Sequence, residues 1–430
     1  MNARPPIGEA FDKAAVRWGD RTACLDRVLG LWHATSWRDH AKAVHTLAAR
    51  LAEVGIGPGS IVGIAGPNGG ARLAAERAVL HRGAMVRPLA DPDEFGAADA
   101  PEAQHVDAVL APDAGILATL SRQLRIAPSH GFVWDTSPAG RPTAPVAPPD
   151  GAFAYADSSW TYGGLADLLA GTPVPPGGDG MLFSFLPPDW HEGHWLVAVA
   201  PIAWGCSVAF SENAETAGTD LRHLQPTILA GPPRLWKRLA IEFDTASALS
   251  SGLQRQMVRL ALSGALPGLG GLLRSRMRTR LGLDRAETAA LTAGILGARL
   301  QQRFTELGIP VASASILGLP AFDPEPYSAG LADLVALPEV FDARVVMVPG
   351  QASPKVEVVL DAEAVSAAGG MEEPAAAARS AARNILTAMG LADATLDIHA
   401  EPISFLQPSV GPDGSVRWFM LTCARGVAAA

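Results

Sequence analysis

The chain has 430 residues, 48% of them apolar and 18% charged. That length allows roughly two to four domains with ample buried core, and the composition excludes a disordered or fibrous chain. The net charge of −9 argues against electrostatic binding of nucleic acid, so no nucleic-acid partner is expected.

Of the 34 basic residues only Lys13, Lys42, Lys237 and Lys355 are lysines, so chemistry that needs a lysine has few candidates. Cys24, Cys206 and Cys423 lie far apart. That argues against a disulfide framework or a thiolate zinc site, and for a reducing compartment. The N-terminus lacks the apolar core of a signal peptide. The longest apolar run, Trp195 to Phe210, is broken by Pro201 and Gly205, short of the ~20 residues that span a membrane. A cytoplasmic protein is expected.

Ala43, Leu47, Leu51 and Val54 recur at helical spacing and predict an amphipathic helix over 37–54, stopped by Gly and Pro in 55–60. Strands are expected at 61–66 and 85–89 with a helix between them, then at 106–111 and 130–135. That order implies a parallel sheet. Residues 136–151, rich in Pro, Ala and Gly, read as a linker. A second α/β stretch follows, with strands at 181–186, 207–210, 227–231, 290–295 and 310–315, and helices at 193–204 and 298–308. From 327 onward, strands at 344–350 and 355–361 and an Ala-rich helix at 372–389 read as a small α+β unit.

The order of these segments resembles the AMP-forming adenylating superfamily, closest to the long-chain acyl-CoA synthetases. The resemblance is carried by SWRDHAKAVHTLAARLAEVGIGPGSIVGIAGPN, Ala78 to Leu89, Leu186–Pro187 with the His191 neighbourhood, SVAFSE, LQPTILAGPPRLWKRL, and LGLDRAETAALTAG followed by FTELGIPV. It implies an α/β fold: two stacked α/β subdomains of the acyl-CoA synthetase N-terminal domain, with a vestigial small α+β C-terminal unit. The expected boundaries are 1–150, 151–322 and 327–430.

The resemblance also implies ATP, Mg²⁺ and CoA as cofactors of an active relative. Such chemistry rests on positioned donors, a metal and a cation on the developing charge. Here the residues depart from the family's pattern. Between Tyr155 and TYGGL (161–165), where the Gly- and Lys-bearing phosphate loop belongs, stand only Ala156, Asp157, Ser158, Ser159 and Trp160. Ser158 and Ser159 read either as a remnant of that loop or, more simply, as a serine turn before a helix. The position of the metal-holding Glu falls on Leu319, which cannot ligate Mg²⁺. The position of the catalytic lysine falls on Leu421, with Arg417 and Arg425 nearby. Arginine is not an equivalent of that lysine. The ribose-binding Asp and the hinge have no counterpart after Pro320.

The expectation is therefore a ligase-like protein without catalytic residues, resident metal or cofactor, acting in binding or regulation. Trp190, His191, Trp236 and Gly294 are its candidate acyl pocket, and a fatty acyl ligand and a protein partner are its expected partners. Two other readings stand beside it: an active AMP-forming ligase, and a structural partner of an intact ligase. HEGH at 191–194 lacks the H-E-x-x-H spacing of a metalloprotease, and no G-x-S-x-G elbow is present. Residues 253–280 combine Leu and Met with clustered Arg. Such a segment suits either an anionic inner membrane face or a helix pair packed on the core with solvated arginines.

Overall fold

The computed structural model describes residues 7–89, 106–124, 130–134, 151–154, 159–184, 191–213, 216–248, 252–262, 269–292, 296–318, 328–337, 339–346, 355–399, 409–410 and 416–417. The chain divides into two compact units. The first is Met1–Asp220 with Pro226–Ile228 and Leu317–Leu319. The second is Leu221–Gln225, Leu229–Ile316 and Pro320–Ala430.

The first unit runs α1 (Ile7–Trp18), β1 (Thr22–Val28), β2 (Leu31–Ser36), α2 (Trp37–Glu53), β3 (Ile61–Ile64), α3 (Gly70–His81), β4 (Met85–Pro88) and β5 (Ala108–Ala111). It continues with α4 (Ala114–Gln123), β6 (Gly131–Val133), β7 (Gly151–Ala154), β8 (Ser159–Thr161) and α5 (Tyr162–Gly171). Then come β9 (Met181–Ser184), α6 (His191–His194), a π-turn (Trp195–Val199), α7 (Ala200–Trp204) and β10 (Ser207–Phe210). One sheet has the order β6-β5-β3-β4-β7-β8, and only β7 and β8 are antiparallel. A second row places β2, β1, β10 and β9 side by side, parallel except for the β1–β2 hairpin, with Ile228 opposite Leu182. Both rows draw strands from either side of residue 150.

Local chemistry starts and stops these elements. The Ser36 hydroxyl accepts the Asp39 N–H and caps α2. Gly55, at φ 81°, ends it in the left-handed region. The buried face of α2 is Trp37, Ala41, Val44, Leu47, Ala48 and Leu51. Ala43 and Val54 are only half-buried, so the stripe expected from spacing is rotated slightly. Helix α3 packs on β3 and β4 and also on β1 and the π-turn. Every residue of it except Ala71 is buried, including Arg72, Glu76, Arg77 and His81. At its start the Gly70 N–H donates to Asp26 Oδ1 at 2.7 Å. A Cβ on Gly70 would lie 2.6 Å from the other Asp26 oxygen, so the carboxylate can cap this helix only over a glycine.

The helix expected over 193–204 contains the π-turn, for a readable reason. Pro201 has no N–H to offer the Val197 carbonyl, and the Ala200 N–H reaches back to Trp195. The Arg77 guanidinium donates to the Val197 and Ala198 carbonyls at 3.3 and 3.1 Å and satisfies them instead. Gly205 then closes α7 at φ 74° against the Trp18 ring, where a Cβ would lie 2.4 Å from the indole.

The remaining elements, most of them in the second unit, begin with α8 (Ala217–Leu224), β11 (Ile228–Gly231), α9 (Pro233–Ala248), α10 (Gly252–Leu262) and α11 (Leu269–Leu281). They go on through β12 (Thr288–Leu291), α12 (Ala298–Glu306), β13 (Val311–Ala312), a 3₁₀ turn (Ala314–Leu317) and α13 (Ser328–Ala336). Last are β14 (Val340–Val346), β15 (Lys355–Leu360), α14 (Ala362–Ala367), α15 (Glu372–Ala388), β16 (Thr395–His399), β17 (Ser409–Val410) and β18 (Val416–Arg417).

The strand expected at 290–295 runs over Thr288–Leu291 instead. The one expected at 310–315 has two residues before the Ile316 N–H turns back to the Ser313 carbonyl. Toward the C-terminus β14, β15 and β16 form a sheet in that order, antiparallel then parallel. Val356, Val358 and Leu360 of that sheet share a core with Ala375, Ala378, Ala382 and Leu386 of α15.

Candidate functional site

The position where the resemblance implies a phosphate loop is a hairpin. Ala154 pairs with Ser159 and Phe153 with Trp160, leaving only Tyr155, Ala156, Asp157 and Ser158 to connect the strands. Ser159 is the first residue of β8, and Ser158 lies outside the described residues. Thr161 then caps α5 by accepting the Gly164 N–H. The Tyr162 hydroxyl reaches the Leu80 and Ala84 carbonyls at 3.1 and 2.8 Å, and burial pushes its ionisation up. The TYGGL segment is thus anchored through its tyrosine to the end of α3.

In α/β folds of this kind, ligands bind beyond the carboxyl ends of parallel strands. In the second unit those ends are Gly231, Thr292 and Ser313. The Thr292 N–H donates to the Gly231 carbonyl at 3.1 Å, which sets the ends of β11 and β12 side by side. β12 and β13 run parallel. The Thr292 hydroxyl is buried without a hydrogen-bond partner. The exposed Ser313 and Ser315 hydroxyls pair at 2.7 Å. Among the described residues, the groups at this edge are hydroxyls and backbone amides and carbonyls.

Trp236, expected in an acyl pocket, is fully buried on α9. Its indole N–H donates to the Gly231 carbonyl at 3.2 Å, and its ring meets Phe304 edge-on at 5.4 Å. It stands directly behind the strand end. His191 begins α6. Trp190, Gly294, Leu319 and Leu421 lie outside the described residues, so Trp236 is the one candidate acyl-pocket residue whose surroundings are defined.

A family model described as AMP-binding enzyme matches residues 11–114. A long-chain-fatty-acid CoA ligase of Gallus gallus is 25% identical over 151 residues, covering 30% of this chain. The match spans 20% of that relative's length. The adenylation domain of a carboxylic acid reductase from Segniliparus rugosus, solved with AMP and a co-purified carboxylic acid, superimposes with a TM-score of 0.60 at 14% identity. The match covers 93% of this chain and 89% of that one. The corresponding domain from Mycobacterium chelonae gives a TM-score of 0.60 at 14% identity, over 93% and 86%. The fold is that of an AMP-forming adenylation domain.

Within this adenylation-domain fold, sequence reading missed the charged groups buried around α3. Glu76 Oε1 accepts from Arg72 Nε at 3.0 Å and lies 3.2 Å from His194 Nε2, the last residue of HEGH. Arg72 also donates to the Gly66 carbonyl at 2.7 Å. Burial would raise the Glu76 carboxyl, but His194 and Arg72 outweigh it and hold it below its ordinary value. HEGH therefore serves at least in part as an anchor, with His194 turned into the core. Arg77 lies over the rings of Phe11 and Trp37. Burial pushes the neighbouring Cys24 and Cys206 thiols up to about 12, which leaves them unreactive. Three further residues from separate helices, Asp12, His45 and His81, also converge in this unit. No local motif links them in sequence.

Of residues 253–280, the described ones fall on α10 and α11, which pack together. Ala261, Gly270, Met277 and Leu281 face inward, whereas Met257, Leu260, Leu269 and Leu272 are exposed. Among the described residues, no helix is long and apolar enough to cross a membrane.

Proposed function

We propose that this chain uses the adenylation-domain fold to bind a carboxylate-bearing apolar ligand, of the fatty acyl class, without activating it. The carrying observation is the β7–β8 hairpin, whose Ala154–Ser159 pair leaves four residues where the family's phosphate loop is built. Leu319 and Leu421, at the positions of the metal-holding Glu and the catalytic Lys, support the same reading. Loss of one charge-stabilising group costs about 10²–10³ in rate, and these losses fall on one reaction. What remains at the strand ends, the Thr292 and serine hydroxyls before Trp236, suits recognition.

The deciding experiment is ATP–pyrophosphate exchange with a panel of carboxylic acids of increasing chain length, beside displacement of a fluorescent fatty acid. Displacement without exchange is expected. Exchange well above background would make the chain a working ligase and overturn the proposal.

We further propose that α10 and α11 touch an anionic membrane face. Exposed Met257, Leu260, Leu269 and Leu272 stand beside Arg276 and Arg280, the pattern of an interfacial contact. Co-sedimentation with phosphatidylglycerol vesicles is expected to fall when both arginines become Glu. Binding that ignores this change would refute it.

A further inference from the structure

Three helices of the first unit bring one carboxylate and two imidazoles together. Asp12 stands on α1, His45 on α2, and His81 is the last residue of α3. Asp12 Oδ1 lies 2.8 Å from His45 Nε2, and Asp12 Oδ2 lies 3.3 Å from His81 Nε2. The imidazole centroids are 5.1 Å apart with the rings inclined at 59°. One ligand atom from each of the three side chains falls within a span of 4.8 Å. The helices are held by their own apolar faces: Phe11, Ala14 and Ala15 on α1, Leu47 and Ala48 on α2, Ala78 and Leu80 on α3. The donors are therefore positioned by the core and need not find one another by chance.

We propose that Asp12, His45 and His81 form a three-ligand site for a borderline divalent transition metal ion of the Zn²⁺ class. The donor set decides the class. Two imidazole nitrogens and one carboxylate oxygen suit Zn²⁺ or Co²⁺, whereas Mg²⁺ and Ca²⁺ take oxygen ligands. Bond lengths of about 2.0–2.2 Å put tetrahedral donors roughly 3.3–3.6 Å apart. The Asp12–His45 and Asp12–His81 separations are 2.8 and 3.3 Å and the three donors lie within 4.8 Å of one another, so side-chain rotations would bring them to an ion without moving the helices.

Access and charge agree with this assignment. Asp12 and His45 remain about one-third exposed, at 32% and 28% of their side-chain surface, while His81 is fully buried. An ion enters from the solvent side, and a water completes the coordination there. The Asp12 carboxylate stands between the two imidazoles as the anionic donor of the set. The nitrogen His81 presents toward Asp12 is Nε2, while its Nδ1 is buried without a hydrogen-bond partner. Bound there, the ion would cross-link the three helices.

The test is titration of the full-length protein with Co²⁺. Uptake of one ion per chain with the visible absorption of a tetrahedral site is expected, displaced by Zn²⁺. His45→Gln and Asp12→Asn should each weaken binding by at least the roughly 10- to 100-fold that loss of an outer-shell partner costs. His223→Gln, an exposed histidine on α8, should leave binding unchanged. Zn²⁺ should also raise the thermal midpoint of the unaltered protein and not that of His45→Gln. Because His45 is partly exposed, its variant stays folded and decides the matter even if Asp12→Asn does not fold. No stoichiometric uptake, or equal binding by His45→Gln, would overturn the proposal.

Discussion

Helices α3 and α15 solve the same problem in opposite ways. Helix α15 buries one face, with Ala375, Ala378, Ala382 and Leu386 against a sheet, and leaves Arg379 and Arg383 in solvent. Helix α3 is buried everywhere but at Ala71, and Arg72, Glu76, Arg77 and His81 lie inside with the alanines and leucines. A helix with one free face can sort its charges by periodicity. One without a free face has to pair them, because a buried charge without a partner costs far more than a lost apolar contact. The charges of α3 are therefore structural connections between elements, while those of α15 are a solvated surface.

The sharpest way to break this contrast is to remove the carboxylate that Arg72 and His194 share. Glu76→Ala leaves Arg72 and His194 buried without it and should cost about 3–5 kcal/mol in urea unfolding. Replacing Arg72, Glu76 and His194 together by Met, Leu and Leu should be less damaging than Glu76→Ala alone, since no charge is then stranded. If the triple variant is the worse one, the ion set stabilises on balance and the contrast is wrong.

On the other side, Leu386→Ala truncates a purely apolar contact and should cost about 2–5 kcal/mol, with the spread set by how far the site collapses. Arg379→Ala on the exposed face of the same helix should stay within about 0.5 kcal/mol. Arg77→Met keeps the bulk over Phe11 and Trp37 but leaves the Val197 and Ala198 carbonyls without their donor. A loss of about 1–3 kcal/mol is expected, read by denaturation.

The smallest effect is a pH slope. Burial and the nearby Arg77 charge hold the His40 imidazole well below its ordinary value. The unfolded chain therefore binds a proton that the folded one refuses. Stability should fall as pH drops below about 6.5, by at most about 1.4 kcal/mol per pH unit from this group. His40→Gln should flatten that part of the profile, whatever it does to the absolute stability.

Much of this was legible in the chain. The parallel α/β order, strand β10, and helices α2, α12 and α15 follow from periodicity and from Gly and Pro punctuation. The six ordered segments from SWRDHAK to FTELGIPV pointed to the fold found by superposition. The candidate site was legible only as residue identities. Leu319 and Leu421 can be read as replacements, but that the 155–158 connection closes a hairpin needed the Ala154–Ser159 pairing. The π-turn at 195–199 was hidden because its cause is shared. Pro201 is local, but the arginine that takes the freed carbonyl lies 120 positions earlier.

Spacing settles where most elements lie, because each element's apolar pattern is local and repeats along the chain, and the segments that resemble the superfamily pointed to the fold. They also name Leu319 and Leu421 as the residues at the positions where the resemblance implies a metal-holding Glu and a catalytic Lys. Tertiary structure alone decided which charges work. Arg72, Glu76 and Arg77 look in sequence like the polar face of an ordinary helix, and Asp12, His45 and His81 like isolated surface residues. Only the packing of α3 on both sides buries the first set. Only the meeting of three helices puts one carboxylate within hydrogen-bond reach of two imidazoles.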